Sequence, residues 1–258
     1  MLRGCSGSAP GSPFLLRGSA GSSPPPPAQR RVSPGLGLTL ARLPAAVETL
    51  QAYKERAEEV HFATNALTCW IDEAEDQAKE ADAYLARTGK TLGPLHGVPC
   101  TVKDHYAVKG YPVTMGLRKL RERQEAGGGA KHDSALVMAL QNAGAIIFAK
   151  TNMTQLGDTW GGGNPAYGDS LNPWNTLRTT GGSSSGEGAI VGANASAFGI
   201  GSDVGGSVRT PAGFCGITAL KPTAFRCSFA WDDGRTIMNH PGDCTSSANL
   251  TLLCTRHV

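Results

Sequence analysis

Residues 181–216 read GGSSSGEGAIVGANASAFGIGSDVGGSVRTPAGFCG, and two opposed properties of this stretch decide how the chain folds. Glycine is dense, yet Ala189-Ile190-Val191, Ala197-Phe198-Gly199-Ile200 and Val208 are apolar enough to pack, unlike a flexible Gly/Ser linker. Glycine inside packed segments marks close backbone approach or positive φ. Several serines beside such turns place hydroxyls on constrained backbone with free N–H groups nearby. Those are the parts of an acyl-transfer site, a nucleophile and an oxyanion hole.

Two serines compete for the nucleophile. Gly182-Ser183-Ser184-Ser185-Gly186 satisfies the G-x-S-x-G elbow and nominates Ser184. An elbow needs a buried strand directly before it, and Asn175-Thr176-Leu177-Arg178-Thr179-Thr180 is too polar to be one. Ser207, in Gly201-Ser202-Asp203-Val204-Gly205-Gly206-Ser207-Val208-Arg209, does follow an apolar strand at Ala197–Ile200. Gly205 and Gly206 leave their N–H groups unshielded, which suits an anionic tetrahedral oxygen.

Upstream, the rhythm is helix and strand in alternation. Val47 to Arg56 and Ala66 to Arg87 are expected helices, the second from Leu67, Trp70, Ile71, Ala74, Ala78, Ala81 and Leu85 at 3.6-residue spacing, with Gly89 as its stop. Gly97 to Lys103 is an expected strand. Asp133 or Ser134 can cap a helix through Leu136, Val137 and Leu140, and Ala145 to Ala149 is a short buried strand. The pattern predicts an α/β layer architecture.

Composition narrows the function. The 258 residues are 40% hydrophobic and 17% charged, enough for a core, with no apolar run of the ~18 residues a spanning helix needs. The net charge of +3 is uneven: residues 1–47 hold five Arg (3, 17, 30, 31 and 42) and no acid, leaving 19 basic residues against all 21 acidic ones. A folded part that is slightly acidic offers no nucleic acid a basic patch. The seven Cys form no C-x-x-C pair, and the six His no ligand spacing, so no metal site is expected. Residues 1–47, rich in Gly, Ser, Pro and Arg, read as a disordered tail or an organellar transit peptide, leaving the compartment open between cytoplasm and organelle.

The Gly/Ser block resembles the amidase signature family of Ser-dependent amide hydrolases. Gly93-Pro94-Leu95-His96-Gly97-Val98-Pro99-Cys100-Thr101-Val102-Lys103-Asp104 is similar to the family's segment around its catalytic lysine. Ala149-Lys150-Thr151-Asn152-Met153, Leu171-Asn172-Pro173-Trp174, Phe214-Cys215-Gly216 and Leu220-Lys221-Pro222-Thr223 also correspond. The resemblance implies a mixed central β-sheet flanked by helices and an acyl-enzyme mechanism on a small-molecule amide, without cofactor. Carried over by residue, it implies Ser207 as nucleophile, Ser183 as bridging serine after a cis peptide, and Lys103 as base. It further implies an oxyanion hole from the N–H groups of Val204, Gly205, Gly206 and Ser207, with Ser184, Asp203 and Arg209 in support.

The chemistry asks much of Lys103. An ordinary lysine is neutral in roughly 0.04% of molecules at pH 7, so a working base must be desolvated. Asp104 would oppose this unless strand alternation turns it away. Asp203 and Arg209 read as a structural ion pair, and Cys215 as a small buried hydrophobe.

The likeness fades after Thr223. Residues 48–228 are therefore expected to be the N-terminal part of an amidase domain, and 229–258 a non-family tail, so the fold reads as truncated at its C-terminal end. Two other readings stand beside the enzyme: a catalytically inactive fragment, and the A-type subunit of a glutamyl-tRNA amidotransferase with partner chains. Glu187 stands where the transamidase subunits carry a small residue and leans toward acetamidase, aryl acylamidase or fatty acid amide hydrolase types. A homo-oligomer is left open.

Overall fold

The structure, a computed structural model, describes residues 44–223 and the strand at 249–254. The expectations for a tail at 1–47 and for residues beyond Thr223 therefore fall mostly outside the described residues.

Helix α1 (Ala46–Thr64) ends where Asn65 takes a left-handed conformation (φ 54°) and its N–H reaches back to the His61 carbonyl. The chain then extends as strand β1 (Leu67–Trp70) before helix α2 (Ala74–Thr88), which closes on Gly89 at φ 66°. The single helix expected over Ala66–Arg87 is thus corrected to a strand and a shorter helix. Leu67, buried, and Trp70, half-buried, pair antiparallel with Thr151 and Ala149, a long-range partner that local periodicity cannot register. Trp70 packs beside Phe148, ring centroids 6.2 Å apart, from this strand.

Strand β2 (Pro99–Lys103) follows, then α3 (Arg118–Gly127), α4 (Ala135–Asn142) and β3 (Ile146–Thr151). Ser134 stands at the N-cap of α4, without a hydrogen bond from its side chain. Two small hairpins come next, β4 (Gly163–Asn164) with β5 (Gly168–Asp169), and β6 (Leu171–Asn172) with β7 (Asn175–Thr179). Strand β7 is exposed along its whole length, as its polar sequence requires. The Gly/Ser block forms helix α5 (Ser185–Gly192), strand β8 (Phe198–Asp203) and helix α6 (Arg209–Cys215), with β9 (Thr218–Leu220) behind.

A six-stranded mixed sheet runs in the order β1-β3-β2-β8-β10-β9, with β10 at Asn249–Cys254. The three central strands are parallel, β2 pairing with both β3 and β8. Strand β10 lies antiparallel between β8 and β9, so residues 249–254 contribute to the sheet.

Side-chain alternation sorts the two faces. From β2 and β8, Cys100, Val102, Phe198 and Ile200 join Leu136, Val137 and Leu140 of α4 in one apolar cluster. Ile146 and Phe148 of β3 turn the other way, with α1, α2 and Ile190 of α5. Thr101 and Lys103 lie on this second face, beneath α5, which is buried at every residue. That placement carries a lysine into the core.

Candidate active site

Lys103 is the last residue of β2 and only 1% exposed. Its Nζ donates to Ser183 Oγ at 2.7 Å and to Ser202 Oγ at 3.2 Å. Burial lowers its pKa to about 7, against the opposing pull of Asp203, Glu187 and Asp104. About half of such amines are neutral at pH 7, against almost none in water.

Asp104 is turned aside, as alternation demands. Its Oδ2 accepts from the Thr114 N–H, the Thr114 hydroxyl and the Met115 N–H at 2.7–3.0 Å.

Ser183 follows a cis peptide bond with Gly182. Its carbonyl accepts from the Thr154 N–H, and the Ser184 N–H donates to the Ser207 carbonyl at 3.0 Å. This last bond ties the loop of Ser183 to the loop of Ser207. Ser207 itself is 9% exposed, at the turn between β8 and α6. Ser184 Oγ is buried and finds no hydrogen-bond partner among the described residues.

The turn before Ser207 is organised by Asp203, which is fully buried. Its carboxylate accepts from the N–H groups of Gly206, Val208 and Arg209 at 2.8–3.1 Å. The Arg209 guanidinium adds a bidentate pair, Nε at 3.0 Å and Nη2 at 2.8 Å. Burial works against ionisation here, but the guanidinium and the three N–H groups outweigh it and hold the carboxyl well below the usual range.

Gly206 sits at φ 118°, a conformation that L side chains rarely adopt. Its N–H is aimed at Asp203, so of the four N–H groups expected to converge, this one is spoken for. Those of Val204, Gly205 and Ser207 donate to no described residue outside the regular elements. The backbone of Thr159 and Gly161 presses on Gly182, and the Trp160 indole borders Gly206.

Two neighbours of Lys103 were not among the expected site residues. Ser202 carried no signal beyond its place in the strand. Glu187 stood out only as a subtype marker, whereas it lies buried under the sheet, accepting from Thr101 Oγ1 at 2.7 Å and Thr151 Oγ1 at 2.9 Å. Cys215 is buried, which pushes its thiol up to about 12. Among the described residues no group of three or more His, Cys, Asp or Glu could hold a metal ion. No described helix is long and apolar enough to cross a membrane.

Comparison with known proteins identifies the family and the fold. The amidase family model matches residues 48–255. Fatty acid amide hydrolase 1 of Caenorhabditis elegans is 42% identical over 180 residues, covering 70% of this chain and 31% of that protein. Amidase 1 of Gibberella moniliformis is 40% identical over 191 residues, covering 73% and 36%. A solved structure of fatty acid amide hydrolase superposes with a TM-score of 0.72 at 33% identity, over 82% of this chain and 36% of that one. The chain thus spans about a third of the length of the curated relatives it matches. By its family match and by its fold, the chain belongs to the amidase family.

Proposed function

We propose that the chain carries the acylation site of an amide hydrolase with a Ser-Ser-Lys triad. Neutral Lys103 takes a proton from Ser183 as Ser183 takes the proton of Ser207. The Ser207 oxygen attacks the amide carbon and forms a tetrahedral oxyanion, which the N–H groups of Val204, Gly205 and Ser207 receive. Asp203 and Arg209 hold that turn, and Ser184 ties it to the bridging loop. The C–N bond then breaks as the Lys103 ammonium returns its proton through Ser183 to the leaving nitrogen. Water hydrolyses the acyl-enzyme by the same relay in reverse.

The observation that carries this reading is the 2.7 Å contact between a fully buried amine and the Ser183 hydroxyl. A surface lysine would be charged and unable to act as a base. The substrate is a small carboxylic amide, in keeping with the amide hydrolases among its relatives.

A fluorophosphonate probe tests the proposal on the purified chain. Labelling that Ser207→Ala abolishes and Ser184→Ala retains supports it. A soluble, folded sample that takes no label overturns it in favour of an inactive fragment, and a label on another serine overturns the assignment of Ser207.

A further inference from the structure

Glu187 is an acid buried under the sheet that the mechanism does not use. It lies in the first turn of α5, four residues after Ser183. Its carboxyl reaches three central strands at once. Thr101 of β2 and Thr151 of β3 each donate to one of its oxygens. On β8, a side chain at Gly199 would run into Oε2. Thr101 lies two residues before Lys103 on the same face of β2. One carboxyl therefore clamps the strand that presents the lysine to the helix that begins beside the bridging serine.

We propose that Glu187 is a positioning residue for the reaction inferred above: through Thr101 it holds the strand that sets Lys103 against Ser183. The inference rests on the triad reading and adds a fourth group to it. Burial raises the carboxyl of Glu187 to about 8, although the two threonine hydroxyls and Lys103 pull it down. Lys103, lowered to about 7, feels Glu187 in return. With the acid above the amine, Glu187 is largely protonated wherever Lys103 titrates, so a neutral amide of the same shape can stand in for it. Cys100 on β2 also feels Glu187, while Asp203 and Asp104 act on Lys103. A purely structural clamp would change the melting temperature and leave the reactivity of the folded site alone.

The rate of fluorophosphonate labelling at Ser207, followed from pH 5 to 9 on the full chain, separates the two. Glu187→Gln removes any charge and keeps the shape. The acid is neutral where Lys103 titrates, so Gln keeps the acid limb near 7 and labels within about threefold of wild type. Glu187→Ala releases both threonines and is expected to lower the plateau rate at least ~10-fold, a loss that Gln restores. Thr101→Val, nearly isosteric, strips one hydrogen bond from the carboxyl and lowers the plateau by less. A folded Glu187→Ala chain that labels at the wild-type rate overturns the proposal, and so does a Gln variant no faster than Ala. Should the Ala variant fail to fold, an unchanged plateau in Thr101→Val overturns it instead. A wild-type chain that takes no label at Ser207 removes the triad reading and this inference together. A wild type that labels while the variants keep its rate removes only the inference.

Discussion

The Arg209 guanidinium, half in solvent, closes a bidentate pair on the carboxylate of Asp203, which is fully buried. The asymmetry matters, because the buried partner is the one that organises the turn before Ser207. Asp203→Asn turns an acceptor of five hydrogen bonds into a group that must also donate. We expect a loss of about 2 kcal/mol in stability by denaturant unfolding, and loss of labelling at Ser207. The folded pKa of Asp203 is depressed, so its stabilisation is present above the unfolded value and fades as pH falls through ~4 and below. The Asn variant loses that part of the acid dependence.

Labelling of Ser207 should itself follow the protonation of Lys103. With the amine near 7, the rate falls as pH drops through 7 and levels off above about 8. Lys103→Arg, permanently charged, is expected to lower the rate at least ~10²-fold across the whole range. A midpoint near 4 in the wild type would point to a carboxylate base instead.

Lys103→Met separates function from stability. A buried lysine with a lowered pKa binds fewer protons folded than unfolded, so stability rises with pH between about 7 and ~10.4. Replacing it with an apolar side chain removes that cost. The variant should be inert to the probe yet melt several degrees higher at pH 7, roughly 4 °C or more, with the gap narrowing toward pH 10. Thermal scans at three pH values check it.

Gly199→Ala probes the clamp from the sheet side. A methyl group there meets the Glu187 carboxyl and, at 3.0 Å, Val191 Cγ2. Both side chains are buried and have nowhere to move. We expect a cost of about 2 kcal/mol in denaturant unfolding.

Much of this was readable before the structure. Strands β2, β3 and β8 were legible because short apolar runs ended at turn residues, and the turn that carries Ser207 because an apolar strand preceded its glycines. Strand β1 was not, because Leu67 and Trp70 obey helical spacing while their true partners, Thr151 and Ala149, lie far along the chain in β3. The aim of the Gly206 N–H toward Asp203 was equally hidden, since neighbours in sequence do not disclose which way an amide points. Glu187 was visible only as a departure from the transamidase pattern, and the threonines that satisfy it come from two other elements.

Lys103 meets Ser183 and Ser202 across separations of 80 and 99 residues, through parallel strands that local contacts cannot bring together. A polypeptide still emerging from synthesis, or one that has melted, accordingly holds an ordinary serine beside an ordinary ammonium. On the proposed triad, reactivity switches on only when the central sheet closes. A covalent serine probe on this chain would double as a sensor of its native state.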